Sequence, residues 1–82
     1  MKEQEARDLR DSVFPGCQLE EDDGDFYLVG LLTVKGVHIE LYIYSETKAS
    51  ICAYVEGAES CDSFRRINGK DEVTKAYDEF FA

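Results

Sequence analysis

A chain of 82 residues makes a single domain spanning residues 1–82, and at this size folding hides only about 60–65% of the surface the unfolded chain exposes. An active site enclosed within one protomer is not expected from so small a core. Nine basic residues against eighteen acidic ones give a net charge of −9, which argues against direct contact with nucleic acid or anionic lipid and favours basic protein surfaces.

Taken in chain order, residues 2–14 read as an amphipathic helix. Ala6, Leu9 and Val13 recur at helical spacing, and charged residues fill the other faces. Pro15-Gly16 stops it, since proline lacks a donor and disfavours helical geometry in the residue before it. The opening Met-Lys-Glu-Gln-Glu-Ala-Arg-Asp lacks the apolar core of a signal peptide. No apolar run is long enough for a membrane span. The expectation is a soluble, cytoplasmic protein with no membrane partner.

Residues 26–56 carry the signature of an antiparallel meander, in which runs of β-branched and aromatic residues alternate with turn signals, and residues 17–25 add a strand and turn before it. Asp23-Gly24 suits a two-residue hairpin turn, and turning there sets Leu19 opposite Leu28 and Cys17 opposite Gly30. Lys35-Gly36 sets Val34 against Val37, Leu32 against Ile39, Gly30 against Leu41 and Leu28 against Ile43. A connection over Ser45–Ala49 then brings Ile43, Leu41 and Ile39 to Ile51, Ala53 and Val55. The three turns agree on one inward apolar face. A slip of one residue in any of them would invert a strand, so their agreement is the main structural inference.

Residues 57–60 form a further turn, and Cys61–Ile67 is a candidate fifth strand whose register the pattern leaves open. Residues 70–81 close the chain as a helix with Val73, Ala76, Tyr77, Phe80 and Phe81 on its apolar stripe. Asp71 and Glu72 fall in its first turn, where the helix dipole favours negative charge. The predicted fold is α+β in two layers: N-terminal helix, antiparallel meander of four or five strands, C-terminal helix, both helices on one sheet face.

The opposite, outward face is the candidate site. The registers place Tyr27, Val29 and Leu31 beside Tyr44, Tyr42 and Glu40, and these beside Ser50, Cys52 and Tyr54. Tyrosine buries much area while keeping a polar handle, which suits it to interfaces. Tyr27, Tyr42, Tyr44 and Tyr54 are the expected anchors. Glu20, Glu21, Asp22, Asp23 and Asp25, with Glu40, are the expected steering rim. Taken alone, that acidic run lacks the acid spacing of an EF-hand loop and reads most simply as a solvated hairpin tip that deters edge pairing.

No constellation for catalysis, metal or cofactor stands out. His38 is expected near Glu56 and Thr33, too far from Cys52 for a dyad. Three cysteines without a CxxC motif fit a reducing compartment rather than a disulfide framework, leaving Cys61 as a free thiol. Arg65, Arg66 and Lys70, the one basic cluster, are expected to pair with the surrounding acids. The expected function is non-enzymatic: occlusion of a basic, nucleic-acid-binding surface on a partner protein. Phage and mobile-element inhibitors such as anti-CRISPR and anti-restriction proteins act in this way, some as nucleic-acid mimics. The alternative is a homodimer, or a structural subunit, closed through the tyrosine-rich face.

Overall fold

The computed structural model describes all 82 residues. Its elements are α1 (Glu3–Ser12), β1 (Gln18–Asp22), β2 (Asp25–Val34), β3 (Val37–Ser45), β4 (Lys48–Val55), β5 (Ser63–Asn68) and α2 (Lys70–Phe80). The strands form one antiparallel sheet in sequential order. Turn chemistry accounts for the first two hairpins. Asp23 and Gly24 take φ of 52° and 87°, and Lys35 and Gly36 take 52° and 79°, the left-handed pair whose twist matches that of the flanking strands. Leu19 then meets Leu28, Leu28 meets Ile43, Gly30 meets Leu41 and Leu32 meets Ile39, as the apolar pattern requires.

The third hairpin departs from expectation by two residues. Ile43 faces Ala49, Leu41 faces Ile51, Ile39 faces Ala53 and Val37 faces Val55, with the register shifting between Ile43 and Ser45. The turn is tighter than the apolar pattern suggested: Ser45 pairs with Lys48, and the Thr47 amide donates to Ser45 Oγ at 3.2 Å. The extra residue at Tyr44 is absorbed as a bulge. A slip of two preserves which side each residue faces, so the inward set survives.

The fifth strand is present, and its register is fixed by Ile67, buried opposite Ala49, while Phe64 lies opposite Cys52 on the other face and is 57% exposed. Both helices pack on the inward face, where Ala6, Leu9, Val73 and Ala76 join Leu28, Leu41, Ile43, Ala49 and Ile67 in one core. Val13 does not belong to that core. The helix ends at Ser12, Val13 is 39% exposed, and Phe14 is 1% exposed in its place. The Phe14 amide donates to the Leu9 carbonyl at 3.1 Å, which turns the chain out of helical phase and delivers the ring to the core. Phe14 meets Tyr77 edge-on at 5.2 Å, and the Tyr77 hydroxyl donates to the Pro15 carbonyl, so the end of α1 is tied to α2.

Gly30 has a packing reason. A Cβ there would lie 2.9 Å from the rings of Phe80 and Phe81, so its bare backbone admits the end of α2.

The helices roof only part of the sheet. With 10 and 11 residues they are about 15–17 Å long, whereas β2, with 10 residues, runs about 33 Å. At the uncovered end Leu32, Val34 and Val55 are exposed, and Val37, Ile39 and Ala53 are half-buried beside them.

Candidate functional site

Three tyrosines gather on the outward face. Tyr27 lies 6.1 Å, centroid to centroid, from both Tyr42 and Tyr44, and the latter two stack nearly parallel at 6.3 Å. Alternation along β3 puts Tyr42 and Tyr44 on one side, and the β2–β3 register brings Tyr27 alongside. The Tyr44 hydroxyl bonds Ser50 Oγ at 3.2 Å, satisfying a serine that is otherwise fully buried. Desolvation raises the Tyr27 hydroxyl above its ordinary pKa, and the carboxylates of Glu20 and Asp22 push it further.

Tyr54 stands apart from that cluster. The two-residue shift of β4 sets Glu40 opposite Cys52 and His38 opposite Tyr54, so Tyr54 reaches Glu40 diagonally and donates its hydroxyl to Glu40 Oε1. That bond is the main cause of a raised Tyr54 pKa. His38 stacks on the Tyr54 ring at 5.5 Å, and its Nδ1 bonds Thr33 Oγ1 at 3.1 Å. Of its two expected neighbours, Thr33 lies opposite His38, whereas the two-residue shift of β4 puts Tyr54 in the place expected of Glu56.

The remaining expected residues divide. Leu31 (55%) and Tyr44 (45%) are the most exposed of the apolar set, Tyr27, Tyr42, Tyr54 and Glu40 are half-buried, and Val29 is buried between Gln18 and Tyr42. Val29 is thus a floor residue, not an anchor. Of the rim, Glu20 (opposite Tyr27) and the Asp22–Asp25 pair share the outward face, while Glu21, opposite Phe26, points to the helix side and Asp23 sits in the turn. Phe64 was missed as a member of this face because the fifth strand's register could not be read from its alternation.

The cysteines overturn their sequence reading. Cys52 and Cys61 are joined as a disulfide with Cα atoms 5.8 Å apart, within the usual range. The one free cysteine is Cys17, which is buried. An odd count hid the pair; the available signal was an outward Cys52 followed, across the Gly57 turn, by Cys61. The bond lays the connection between β4 and β5 against the outward face, so that face is bordered by a loop rather than bare. The Asp62 amide donates to the Ala53 carbonyl at 2.8 Å, and Asp62 Oδ2 accepts the Val55 amide at 3.1 Å. Of the basic cluster only Lys70 is paired, with Glu46 at 3.7 Å. Arg66 instead lies over the Phe64 ring at 5.9 Å.

Three shallow clefts carry carboxylates. The largest, about 650 Å³, runs between α1 and the Glu46-Thr47 turn and is lined by Glu5, Asp8 and Glu46 without an aromatic wall. Two smaller ones flank Tyr42. One, about 350 Å³, is formed by Asp22, Asp25, Tyr27 and Tyr44. The other, about 320 Å³, is formed by Glu40, Tyr54, Glu59 and the Cys52–Cys61 link. No helix is long and apolar enough to cross a membrane.

The class of protein so defined is a five-stranded α+β domain with an aromatic, acid-rimmed sheet face. Comparison with family models, curated proteins and solved structures finds no match to this chain.

Proposed function

We propose that this is a non-enzymatic binding protein that occludes a basic surface of a partner protein. The observation that carries the reading is the juxtaposition, on one sheet face, of stacked tyrosines with two carboxylate-bearing clefts, in a chain of net charge −9. Negative charge speeds and orients encounter with a basic surface, and rigid aromatic side chains supply desolvated anchors at low entropic cost. Inhibitors carried by phages and mobile elements, including antagonists of CRISPR and restriction nucleases, fit this description. A nucleic-acid-binding surface is the proposed target, with the cytoplasm as the place of action, which requires the fold to hold with the Cys52–Cys61 bond reduced.

The test is retention of a partner by the immobilised protein at low salt, its release at high salt, and its displacement by added nucleic acid. Leu31→Asp combined with Tyr44→Asp should abolish retention, because both side chains are exposed; Tyr44→Phe, which drops only the hydroxyl bond to the buried Ser50, is the folding control and should keep it. Retention that ignores salt and survives the double substitution would overturn the proposal.

A second reading is favoured by a different observation, the uncovered aliphatic end of the inward face. Leu32, Val34 and Val55 expose an apolar surface to water of the kind that oligomers close about a two-fold axis. In that reading the chain is a homodimer or a small structural subunit, joined through the aliphatic end rather than the tyrosines. Sedimentation at micromolar concentration, with Val34→Asp as the control, distinguishes a dimer from a monomer.

A further inference from the structure

We infer that the cleft between Tyr42 and Tyr54 is a receptor for a single guanidinium group, so that the partner's basic surface is engaged through one inserted arginine side chain. The inference rests on the proposed occlusion of a basic surface and names the chemistry of its central contact.

The walls of the cleft are aromatic and braced. Tyr42 is backed by the near-parallel Tyr44 ring, and Tyr54 by His38, so neither ring needs much reordering when a ligand enters. Carboxylates supply the charge. Glu40, opposite Cys52, lines the cleft, and its Oε1 accepts the Tyr54 hydroxyl, which orients the carboxylate. Oε2 makes no hydrogen bond within the fold and is left to accept from a ligand. Glu59, on the loop held down by Cys61, adds a second carboxylate at the rim, and no basic residue lines the cleft.

This combination selects its ligand. An anion would meet two carboxylates and no donor of positive charge. A metal ion would find too few ligands, since no group of three or more histidine, cysteine or acidic side chains is placed to hold one. At about 320 Å³ the cleft is at the lower limit of small-molecule sites, which suits one side chain better than a cofactor. Guanidinium meets both features at once: its planar face stacks on tyrosine, and its fork of N–H donors matches a carboxylate edge. An ammonium group supplies point charge without the planar surface.

The experiment is an amide-resolved NMR titration of the whole chain with N-acetyl-arginine amide, run beside N-acetyl-lysine amide and the neutral isostere N-acetyl-citrulline amide. The expected result is a saturable set of shifts confined to Glu40, Tyr42, Cys52, Tyr54 and Glu59, with a dissociation constant on the order of 1–10 mM. Lysine amide should bind at least threefold more weakly, and citrulline amide should give no saturable shift. Glu40→Gln, which keeps an acceptor for the Tyr54 hydroxyl, should weaken arginine binding at least fivefold without altering the rest of the spectrum. Tyr42→Leu should weaken it similarly. Shifts scattered over the acidic surface and unchanged in Glu40→Gln would overturn the site, and lysine binding as tight as arginine would overturn the guanidinium assignment. Partner retention separates this from the broader proposal. A partner held equally by wild type and Glu40→Gln removes the cleft but leaves occlusion standing. Arginine binding without any retained partner leaves the cleft and removes occlusion.

Discussion

Phe14 and Val13 offer the sharpest test of how this fold is held together, because helical periodicity and packing assign the core role to different residues. Phe14 is 1% exposed, in edge contact with Tyr77, and part of the single core cluster; Val13 is 39% exposed beside it. Removing a buried phenylalanine ring typically costs about 3–5 kcal/mol, combining lost transfer energy with the cavity left behind. A surface substitution such as Val13→Ala stays within about 0.5 kcal/mol. A domain of this length has about 4–12 kcal/mol of total stability, so Phe14→Ala should remove a large fraction of it and lower Tm by on the order of 12 °C or more. The assay is urea unfolding followed by far-UV circular dichroism, with midpoint and slope fitted for wild type and each variant. Equal losses in the two variants, or a Phe14→Ala loss under 1 kcal/mol, would show that the chain continues helically through Val13 and that Phe14 is not in the core.

Other consequences follow from the buried thiol and the disulfide. Burial pushes the Cys17 thiol from 9.0 up to about 11, so the folded chain keeps a proton that the unfolded chain loses first. Its contribution to stability is therefore fully present below about pH 9 and is lost as pH rises towards 11, on the order of 1–2 kcal/mol after solvent screening. Cys17→Ala should flatten that part of the pH–stability curve; an unchanged slope refutes the assignment. The raised hydroxyls of Tyr27, Tyr54 and Tyr77 contribute in the same direction in both proteins. The Cys52–Cys61 bond spans nine residues of sequence, and closing a loop of that size stabilises by about 2–3 kcal/mol. A reducing agent should lower stability by that amount, chiefly releasing the β4–β5 connection, which hydrogen exchange would detect. Rapid alkylation of protein from freshly lysed cells bears on the cytoplasmic proposal: action in a reducing compartment predicts that both thiols label, whereas a fully bonded pool would move the protein to an oxidising one.

Much of the architecture was legible because strands alternate with a period of two and because Asp23-Gly24 and Lys35-Gly36 specify their turns locally. Given those turns, placing Leu19, Leu28, Leu41 and Ile43 on one side leaves a single consistent register. The third hairpin was read two residues out because its connection carries no glycine, and a shift of two leaves the apolar pattern equally well satisfied. The tyrosine face followed from the same alternation. Its bordering loop did not, since the Cys52–Cys61 contact depends on where the β4–β5 connection folds back.

Sequence alone determined the order of the two helices and the first four strands, the identity of the inward face and the acidic character of the surface, since each follows from local turn chemistry, side-chain periodicity or a count of charges. Tertiary structure alone decided that Phe14 replaces Val13 in the core, that Glu40 is oriented by Tyr54, that Cys52 meets Cys61, and that the roofing helices stop short of Leu32, Val34 and Val55. Each of these depends on the distance between groups remote along the chain. Periodicity gives a residue's direction from its own backbone, but says nothing about which distant side chain it will meet there.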